Sequence, residues 1–307
     1  METKRNENIK DKYIAAVDDF VAKIRKDINV VAVVIQGSLT NDVVWEKSDI
    51  DCCVVIRDQK ITAGGFCLDQ DGIAFNVEIV GRTEFIRDLQ KSEGGSGGHS
   101  MYAKSEIVYT TDPSLRTILD DCKKIGERDM ERSAMVTAGE IVYYWEKCQK
   151  WLFVKDDPTY CRYYVLKAAD AIARMEICLA FEPSSREAVL RADILSPALM
   201  KKYYHDPISR EMSREELTRL LDDIDEYIMS KADLFMIPMN EYLADGEIRS
   251  VGMIAKHFRT GAHFLVHLLD YAAHKGLVEK AGLPVRLTPK SRPALEEAAY
   301  FIPKTEE

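Results

Sequence analysis

Two acidic residues separated by one apolar residue open a run of the sequence that should be buried in a sheet. Asp49 and Asp51 flank Ile50 in the stretch SDIDCCVVI. Side chains two residues apart on a strand point to the same face, so both carboxylates should project together while Ile50 packs on the other side. Converging carboxylates repel each other, and a hard divalent cation such as Mg²⁺ would compensate that repulsion. The pair therefore predicts a metal site, with two solvated acids at an exposed strand end as the alternative.

A Gly-Ser pair precedes the two acids by about ten residues and ends another buried run, NVVAVVIQG. Gly37 permits a sharp turn there, and Ser38 can open a following helix. The free N–H groups of a helix N-terminus bind phosphate oxygens, and glycine allows the backbone to approach them closely. A phosphate cradle beside a metal-binding acid pair indicates phosphoryl or nucleotidyl transfer. An ordinary strand-to-helix turn is the alternative.

A third carboxylate lies inside an otherwise apolar predicted strand, AFNVEIV. Strand alternation places Phe75 and Val77 on one side of this strand, and Asn76 and Glu78 on the other. If this strand pairs beside the strand that carries the two aspartates, Glu78 would face the same site. An exposed glutamate on an edge strand is the alternative interpretation.

The combination of these elements resembles the DNA polymerase β-like nucleotidyltransferase superfamily. The usual pattern of that superfamily is Gly-Ser, a gap of this length, an Asp–apolar–acid triplet, and a third carboxylate one or two strands later. Ser48 directly before Asp49 fits this pattern, and the VEIV strand looks like that of aminoglycoside adenylyltransferases. The resemblance covers residues 30–112. It is closest in appearance to the antibiotic-modifying branch, of the aminoglycoside and lincosamide type.

The resemblance implies transfer of a nucleoside monophosphate, from ATP or another nucleoside triphosphate, to a hydroxyl group of a small acceptor. Pyrophosphate is the implied leaving group. Two Mg²⁺ ions are the implied cofactors, and their implied ligands are Asp49, Asp51 and Glu78. The implied nucleotide-binding residues are Gly37, Ser38, Ser48 and Lys167.

Two residues are candidates to accept the proton of the acceptor hydroxyl. Glu78 would be the third metal ligand, the general base, or both. Some relatives take the base from a helical domain, where Glu140 in TAGEIVYYWEK is the candidate, with a solvated helix glutamate as the alternative. Lys167 lies in an apolar helical stretch and could reach a phosphate. The alternative is a lysine whose stem covers apolar surface while its ammonium group stays in water.

The order of predicted elements indicates an α+β protein in three parts. Residues 1–126 combine a first helix with four strands, and the resemblance makes them a mixed-sheet nucleotidyltransferase domain with a loop at SEGGSGGHS. Residues 127–236 predict a helical bundle with four amphipathic segments, 128–153, 159–181, 187–204 and 213–235. Residues 237–307 are predicted as helix, helix, hairpin and a final helix, SRPALEEAAYFI, an order that resembles a winged-helix module.

Charge and composition leave alternative functions open. The net charge of the 307-residue chain is −9, which argues against nonspecific nucleic-acid binding by the whole chain. Residues 249–304 are locally basic, with nine Lys or Arg against four Asp or Glu. A catalytically silent regulator that binds DNA through a winged helix is therefore one alternative. A nucleotidyltransferase acting on protein or RNA, of the toxin–antitoxin or regulatory type, is another.

Cysteine content and the N-terminal stretch suggest a compartment. Seven dispersed cysteines without a C-x-x-C pair predict reduced thiols. The charged stretch METKRNENIKDKY lacks the apolar core of a signal peptide, and no apolar run has the length of a membrane span. A cytoplasmic protein without a membrane partner is the expectation.

Overall fold

The chain folds into two compact units, residues 1–126 and 127–307. The segment 237–307, predicted as a separate module, lies within the second unit. The computed structural model describes residues 2–41, 44–91, 101–183, 187–292 and 295–304. The stretch SEGGSGGHS, predicted as a loop, lies outside the described residues.

A mixed five-stranded sheet forms the centre of the first unit. Its strands are β1 (Val30–Gln36), β2 (Ile50–Ile56), β3 (Gly65–Gln70), β4 (Ile73–Gly81) and β5 (Glu106–Thr110). They lie in the order β3-β4-β2-β1-β5. β2 and β4 run parallel, and the other neighbouring strands are antiparallel. The predicted mixed α+β architecture is confirmed for this unit.

Helices cover both faces of this sheet, because its central strands are apolar on both sides. Every residue of β1 is buried. On one face, α1 (Glu2–Ile24) packs Phe20 against Phe75 of β4, with ring centres 5.1 Å apart. On the other face, α2 (Arg82–Lys91) and α3 (Ser114–Cys122) bury a second cluster of apolar side chains. In β1 and β2, the polar side chains of Gln36 and Asp51 therefore lie at the strand ends.

β3 is a strand that the sequence analysis missed. It pairs with β4 through a two-residue turn, Asp71 and Gly72, where both residues have positive φ angles of 54° and 76°. Such a turn matches the twist of a hairpin, and an Asp-Gly dipeptide is its usual signal. The strand GFCLDQ is mostly exposed, so it lacks the apolar pattern that identified the other strands. The turn dipeptide was the signal that could have located it.

The second unit begins with a helical bundle. In chain order, its helices are α4 (Glu127–Gln149), α5 (Pro158–Leu179), α6 (Ala188–Leu195), α7 (Pro197–Met200), α8 (Asp206–Ser209), α9 (Arg214–Ser230), α10 (Ala232–Phe235) and α11 (Ile237–Leu243). The predicted segment 187–204 is divided into α6, α7 and the start of a π-helical turn, Lys201–His205. The break after α6 falls before Pro197, which cannot continue its backbone hydrogen bonding. Among the helices that the structure describes, none is long and apolar enough to cross a membrane.

Local signals set the starts of the long helices. Asp157 caps α5 by accepting a hydrogen bond from the backbone N–H of Tyr160 at 2.8 Å, and Pro158 occupies the first helical position. Ser213 and Glu216 form a capping box at the start of α9. These residues define where α5 and α9 begin.

The C-terminal part of the second unit combines two helices with a three-stranded sheet. Its elements are β6 (Arg249–Ser250), α12 (Val251–His257), α13 (Ala262–His274), β7 (Glu279–Val285) and β8 (Leu295–Phe301), with the strand order β6-β8-β7. The prediction of a helix at SRPALEEAAYFI is wrong, because residues 295–301 form β8 and pair antiparallel with β7. Alanine and glutamate favour a helix locally, but pairing with β7 and burial of Tyr300 decide the structure.

α13 packs closely against α4. A Cβ atom on Gly139 of α4 would lie 2.7 Å from the carbonyl oxygen of Phe264 in α13. The ring of Tyr143, one turn further along α4, contacts the rings of His263 and His267, with centres 4.9 and 5.0 Å apart. The bundle therefore covers one face of α13.

Gly139→Val should destabilise the second unit. The added side chain would occupy the position of the Phe264 carbonyl group, and overpacking of this kind costs about 1–3 kcal/mol of unfolding free energy. Val136→Ala, at a position 37% exposed on the same helix, is the control and should change stability by at most about 0.5 kcal/mol. Urea unfolding followed by circular dichroism measures both variants. Full stability of Gly139→Val would contradict the close helix contact.

Candidate active site

The two aspartates lie at the start of β2, the central strand of the first sheet. Asp49 is exposed and Asp51 is half-buried. Ile50 between them is fully buried in the apolar cluster on the opposite face. The alternation along the strand therefore turns both carboxylates to one face and anchors them through Ile50.

One side-chain amide joins the two carboxylates. The Nδ2 atom of Asn76 lies 2.6 Å from Oδ2 of Asp49 and 3.2 Å from Oδ1 of Asp51. An amide nitrogen carries two N–H donors, so each carboxylate receives one hydrogen bond. If the amide were turned over, its oxygen would face the two carboxylates and repel them. The nitrogen of Asn76 is therefore the atom that faces the aspartates. The Oδ1 atom of Asn76 in turn accepts from the thiol of Cys67 at 3.4 Å.

Strand register brings Asn76 to this position. Asp51 lies opposite Asn76 in the parallel pairing of β2 with β4, and opposite Gln36 in the antiparallel pairing with β1. Cys67 of β3 lies opposite Asn76. We call this line of side chains across the sheet the Asp51 row: Gln36, Asp51, Asn76 and Cys67. The sequence analysis missed Asn76 as a site residue, because an asparagine in a strand gives no chemical signal until the register is known.

Glu78 lies in the next row of the sheet. It is opposite Cys53 of β2 and Gly65 of β3, and its side chain is exposed. Glu78 shares the face of Asp51, but it lies two residues further along the ladder, a displacement of about 7 Å. No three His, Cys, Asp or Glu side chains are grouped as ligands of one metal ion in the described part of the chain. The structure therefore brings Asp49 and Asp51 together and places Glu78 beside them rather than between them.

Gly37 makes room for the carboxylate of Asp51. Its φ angle is +78°, in the region that favours glycine. A Cβ atom here would lie 2.6 Å from Oδ2 of Asp51. Gly37 opens a 3₁₀ turn, Gly37–Asn41, in which the hydroxyl of Thr40 donates to the carbonyl oxygen of Gly37 at 2.9 Å. Both the backbone and the neighbouring aspartate therefore require glycine at this position.

The two predicted serines differ in their structural roles. The backbone of Ser38 belongs to the 3₁₀ turn, and its side chain is outside the part that the structure describes. The hydroxyl of Ser48 accepts a hydrogen bond from the backbone N–H of Trp45 at 3.1 Å and closes the turn before Asp49. Tyr13 of α1 holds the same turn, because its hydroxyl donates to the carbonyl oxygen of Ser48 at 2.7 Å. Burial, and then the negative charge of Asp49, raise the pKa of Tyr13, so it remains a donor.

Glu140 and Lys167 belong to the second unit. Oε1 of Glu140 accepts a hydrogen bond from Arg174 at 2.7 Å, and Arg174 also contacts Asp170 at 3.1 Å. Glu140 is therefore held in an ion-pair network rather than solvated. The ammonium group of Lys167 lies 5.0 Å from the ring centre of Tyr163, and a hydrogen bond with that tyrosine raises the pKa of Lys167.

The fold has a counterpart of known structure. This chain is similar in fold to a nucleotidyltransferase-like protein. The crystal structure of that protein, from Exiguobacterium sibiricum 255-15, matches with a TM-score of 0.65 and 12% sequence identity, over 94% of this chain and 98% of that chain. No protein-family model and no curated protein matches the sequence. At this identity the similarity concerns the fold, and it supports the nucleotidyltransferase fold expected from the motif.

Comparison of Gly37→Ala with Gly72→Ala should distinguish the effect of backbone strain from the effect of a steric clash with Asp51. Gly72 has nearly the same φ angle and open space where a Cβ would lie, so Gly72→Ala carries the strain alone. Alanine in this region costs about 1–2 kcal/mol, and we expect both variants to lose about that much stability. Only Gly37→Ala should displace the Asp51 carboxylate and weaken Mn²⁺ binding, measured by electron paramagnetic resonance. Equal Mn²⁺ affinities in the two variants would contradict this role of Gly37.

Asn76→Asp should make stability depend on divalent cations. The change removes two donors and places a third carboxylate against the first two, so the melting temperature in EDTA should fall. Added Mg²⁺ would offset the repulsion and raise the melting temperature by more than it does in the unchanged protein. Asn76→Ala removes the donors without adding charge, so its recovery with Mg²⁺ should be smaller. A melting temperature of Asn76→Asp that does not respond to Mg²⁺ would show that the three side chains do not share one site.

Proposed function

We propose that the protein is a Mg²⁺-dependent nucleotidyltransferase that moves a nucleoside monophosphate, with ATP as the first donor to test, to a hydroxyl group of a small acceptor. The observation that carries the proposal is the convergence of Asp49 and Asp51 on one amide nitrogen, beside a glycine that both backbone and aspartate require. The similarity in fold to a nucleotidyltransferase-like protein is consistent with this function.

The aspartate pair suits Mg²⁺ by its chemistry and its spacing. Mg²⁺ prefers oxygen ligands and is commonly held by one or two carboxylates, with water and substrate phosphates completing its coordination. One oxygen of each aspartate already lies within 3.2 Å of a single atom, the Nδ2 of Asn76, so the two carboxylates are close enough to share a ligand. When bound, Mg²⁺ would neutralise charge on the triphosphate and on the departing pyrophosphate. Glu78, on the same face, is available to a second ion.

The proposed reaction is an in-line displacement at the α-phosphorus. The oxygen of the acceptor hydroxyl forms a bond to that phosphorus, while the bond from the phosphorus to the oxygen bridging toward the β-phosphate breaks. Pyrophosphate leaves with the electron pair of the broken bond, and the hydroxyl proton passes to a general base. We assign the base to Glu78, which is exposed on the face of the aspartates, because Glu140 is engaged by Arg174. The backbone of Gly37 and Ser38 would lie against the phosphates.

The packing of α13 weighs against a silent DNA-binding regulator. The C-terminal elements run helix, strand, helix, helix, strand, strand, and we propose that they form a winged-helix module. In such modules the helix corresponding to α13 would enter the major groove. Here α13 packs against α4 at Gly139, and the ring of Tyr143 lies on His263 and His267. We therefore assign the module to stabilising the second unit.

Asp49→Asn combined with Asp51→Asn tests the proposed site. The double variant keeps the side-chain shapes and removes both charges, so Mg²⁺-dependent affinity for a nonhydrolysable ATP analogue should fall by about 100-fold or more. The matched control is Asp120→Asn with Asp121→Asn, a pair of exposed acids on α3. Calorimetric titration in Mg²⁺ and in EDTA gives the affinities. Equal Mg²⁺-dependent binding by the double variant and the unchanged protein would refute the site.

The same pair of variants identifies the class of acceptor. A cell extract is incubated with ATP labelled at the α-phosphorus, and the label is then separated into small-molecule, protein and RNA fractions. We expect label in the small-molecule fraction that depends on Asp49 and Asp51. Label on protein or RNA with the same dependence would assign the chemistry to a macromolecular acceptor instead.

A further inference from the structure

Gln36 carries a buried hydrogen-bond donor that has no partner in the described part of the chain. Its side chain is only 7% exposed, and the other six residues of β1 are Val, Ala or Ile. Its Nε2 atom is buried and has no hydrogen-bond partner among the described residues. Two serines buried to a similar degree are satisfied: Ser105 donates to the carbonyl oxygen of Met101, and Ser250 accepts from the N–H of Met253. An apolar side chain would avoid the desolvation penalty at Gln36, so the amide needs a reason beyond packing.

The position of Gln36 in the Asp51 row connects it to the candidate site. Gln36 and Asp51 are directly opposite each other in the antiparallel pairing of β1 and β2, so their side chains share one face with Cβ atoms about 5 Å apart. Gln36 also directly precedes Gly37, the residue whose missing side chain admits Oδ2 of Asp51. The side chain of Gln36 therefore leaves β1 on the face that carries the proposed cation and phosphate positions.

A neutral donor is the chemistry that this position requires. A lysine here would pair with Asp51 and compete with a cation, whereas a glutamate would add a third negative charge. An amide donates a hydrogen bond and leaves the charge of the aspartate pair at −2, which one divalent cation neutralises. An anionic oxygen can approach both Asp51 and Gln36 only when a cation lies on the carboxylate, which is how the phosphates of a metal–nucleotide complex would bind.

We propose that the side-chain amide of Gln36 donates a hydrogen bond to a phosphate oxygen of the bound nucleoside triphosphate. This inference rests on the proposed function and adds a buried side chain of β1 to the phosphate contacts of the turn after Gly37. A phosphate oxygen would give this buried donor a hydrogen-bond partner. Because the contact is to phosphate and not to the base, pyrophosphate with Mg²⁺ makes it as well.

Gln36→Met tests the contact, since methionine has a similar length and no donor. Its matched control is Ile35→Met, the neighbouring residue of β1, whose side chain is buried on the opposite face. We expect the affinity of Gln36→Met for Mg²⁺ with a nonhydrolysable ATP analogue, and with pyrophosphate, to fall by about 10- to 100-fold, the range for a hydrogen bond to a charged group. The melting temperature without ligand should equal or exceed that of the unchanged protein. Ile35→Met should bind both ligands normally.

The outcomes separate this inference from the proposed function. Normal affinity of Gln36→Met for both ligands overturns the contact and leaves the proposed function intact. A lower affinity that is matched by a lower melting temperature, and is shared by Ile35→Met, overturns it in favour of a packing role. Absence of binding to the unchanged protein overturns the proposed function and this inference together. Should Gln36→Met fail to fold, the side-chain amide resonances of Gln36 in the unchanged protein decide the question: a shift on adding Mg²⁺ and pyrophosphate supports the contact, and no shift overturns it.

Discussion

The hydrogen bonds from the Asn76 amide to two carboxylates are the interaction on which the site depends. Asp49 and Asp51 would repel each other on one strand face, and a single nitrogen at 2.6 and 3.2 Å holds them together. That nitrogen is in place only because β4 pairs parallel with β2 and brings Asn76 opposite Asp51. The pairing in turn requires the chain to leave β2, form β3 and return through the turn at Asp71 and Gly72. The two-residue turn between β3 and β4, at the edge of the sheet, thus helps to position Asp49 and Asp51 at the start of the central strand β2.

The sequence predicted the parts of the site that depend on local geometry. Strand alternation placed Asp49 and Asp51 on one face with Ile50 in the core, and the Gly-Ser pair located the turn at Gly37. These features need only the period of a strand and the conformational freedom of glycine.

The sequence did not reveal the features that depend on which residues meet across strands. It did not indicate that Asn76 would join the two aspartates, because only the pairing of β4 with β2 shows that Asn76 lies opposite Asp51. It predicted a helix at SRPALEEAAYFI, residues 291–302, whose alanine and glutamate content favours a helix. Residues 295–301 instead form β8, because they pair with β7. Gln36 showed no signal at all, since its importance lies in burial and in a missing partner.

The charges around the aspartates give the site its chemical character. The two side chains that flank Asp51 in its row, Asn76 and Gln36, are neutral amides. Asn76 donates hydrogen bonds to both aspartates, and Gln36 lies opposite Asp51. Because neither amide carries a charge, the two carboxylates stay available to a divalent cation. Glu78, which we propose as the base, lies in the next row, opposite Cys53 and outside the hydrogen-bonded pair. In the proposed transfer of a nucleoside monophosphate, the acids bind the cation and accept the proton, and the neutral amides donate hydrogen bonds.

The most direct test is the position of a bound metal ion. Crystals grown with Mn²⁺ and a nonhydrolysable ATP analogue would locate the ion by its anomalous scattering. Our account predicts a peak within about 2.3 Å of a carboxylate oxygen of Asp49 and of Asp51, with triphosphate oxygens on its other side. A nucleotide bound elsewhere, or an Mn²⁺ ion that contacts neither aspartate, would contradict it.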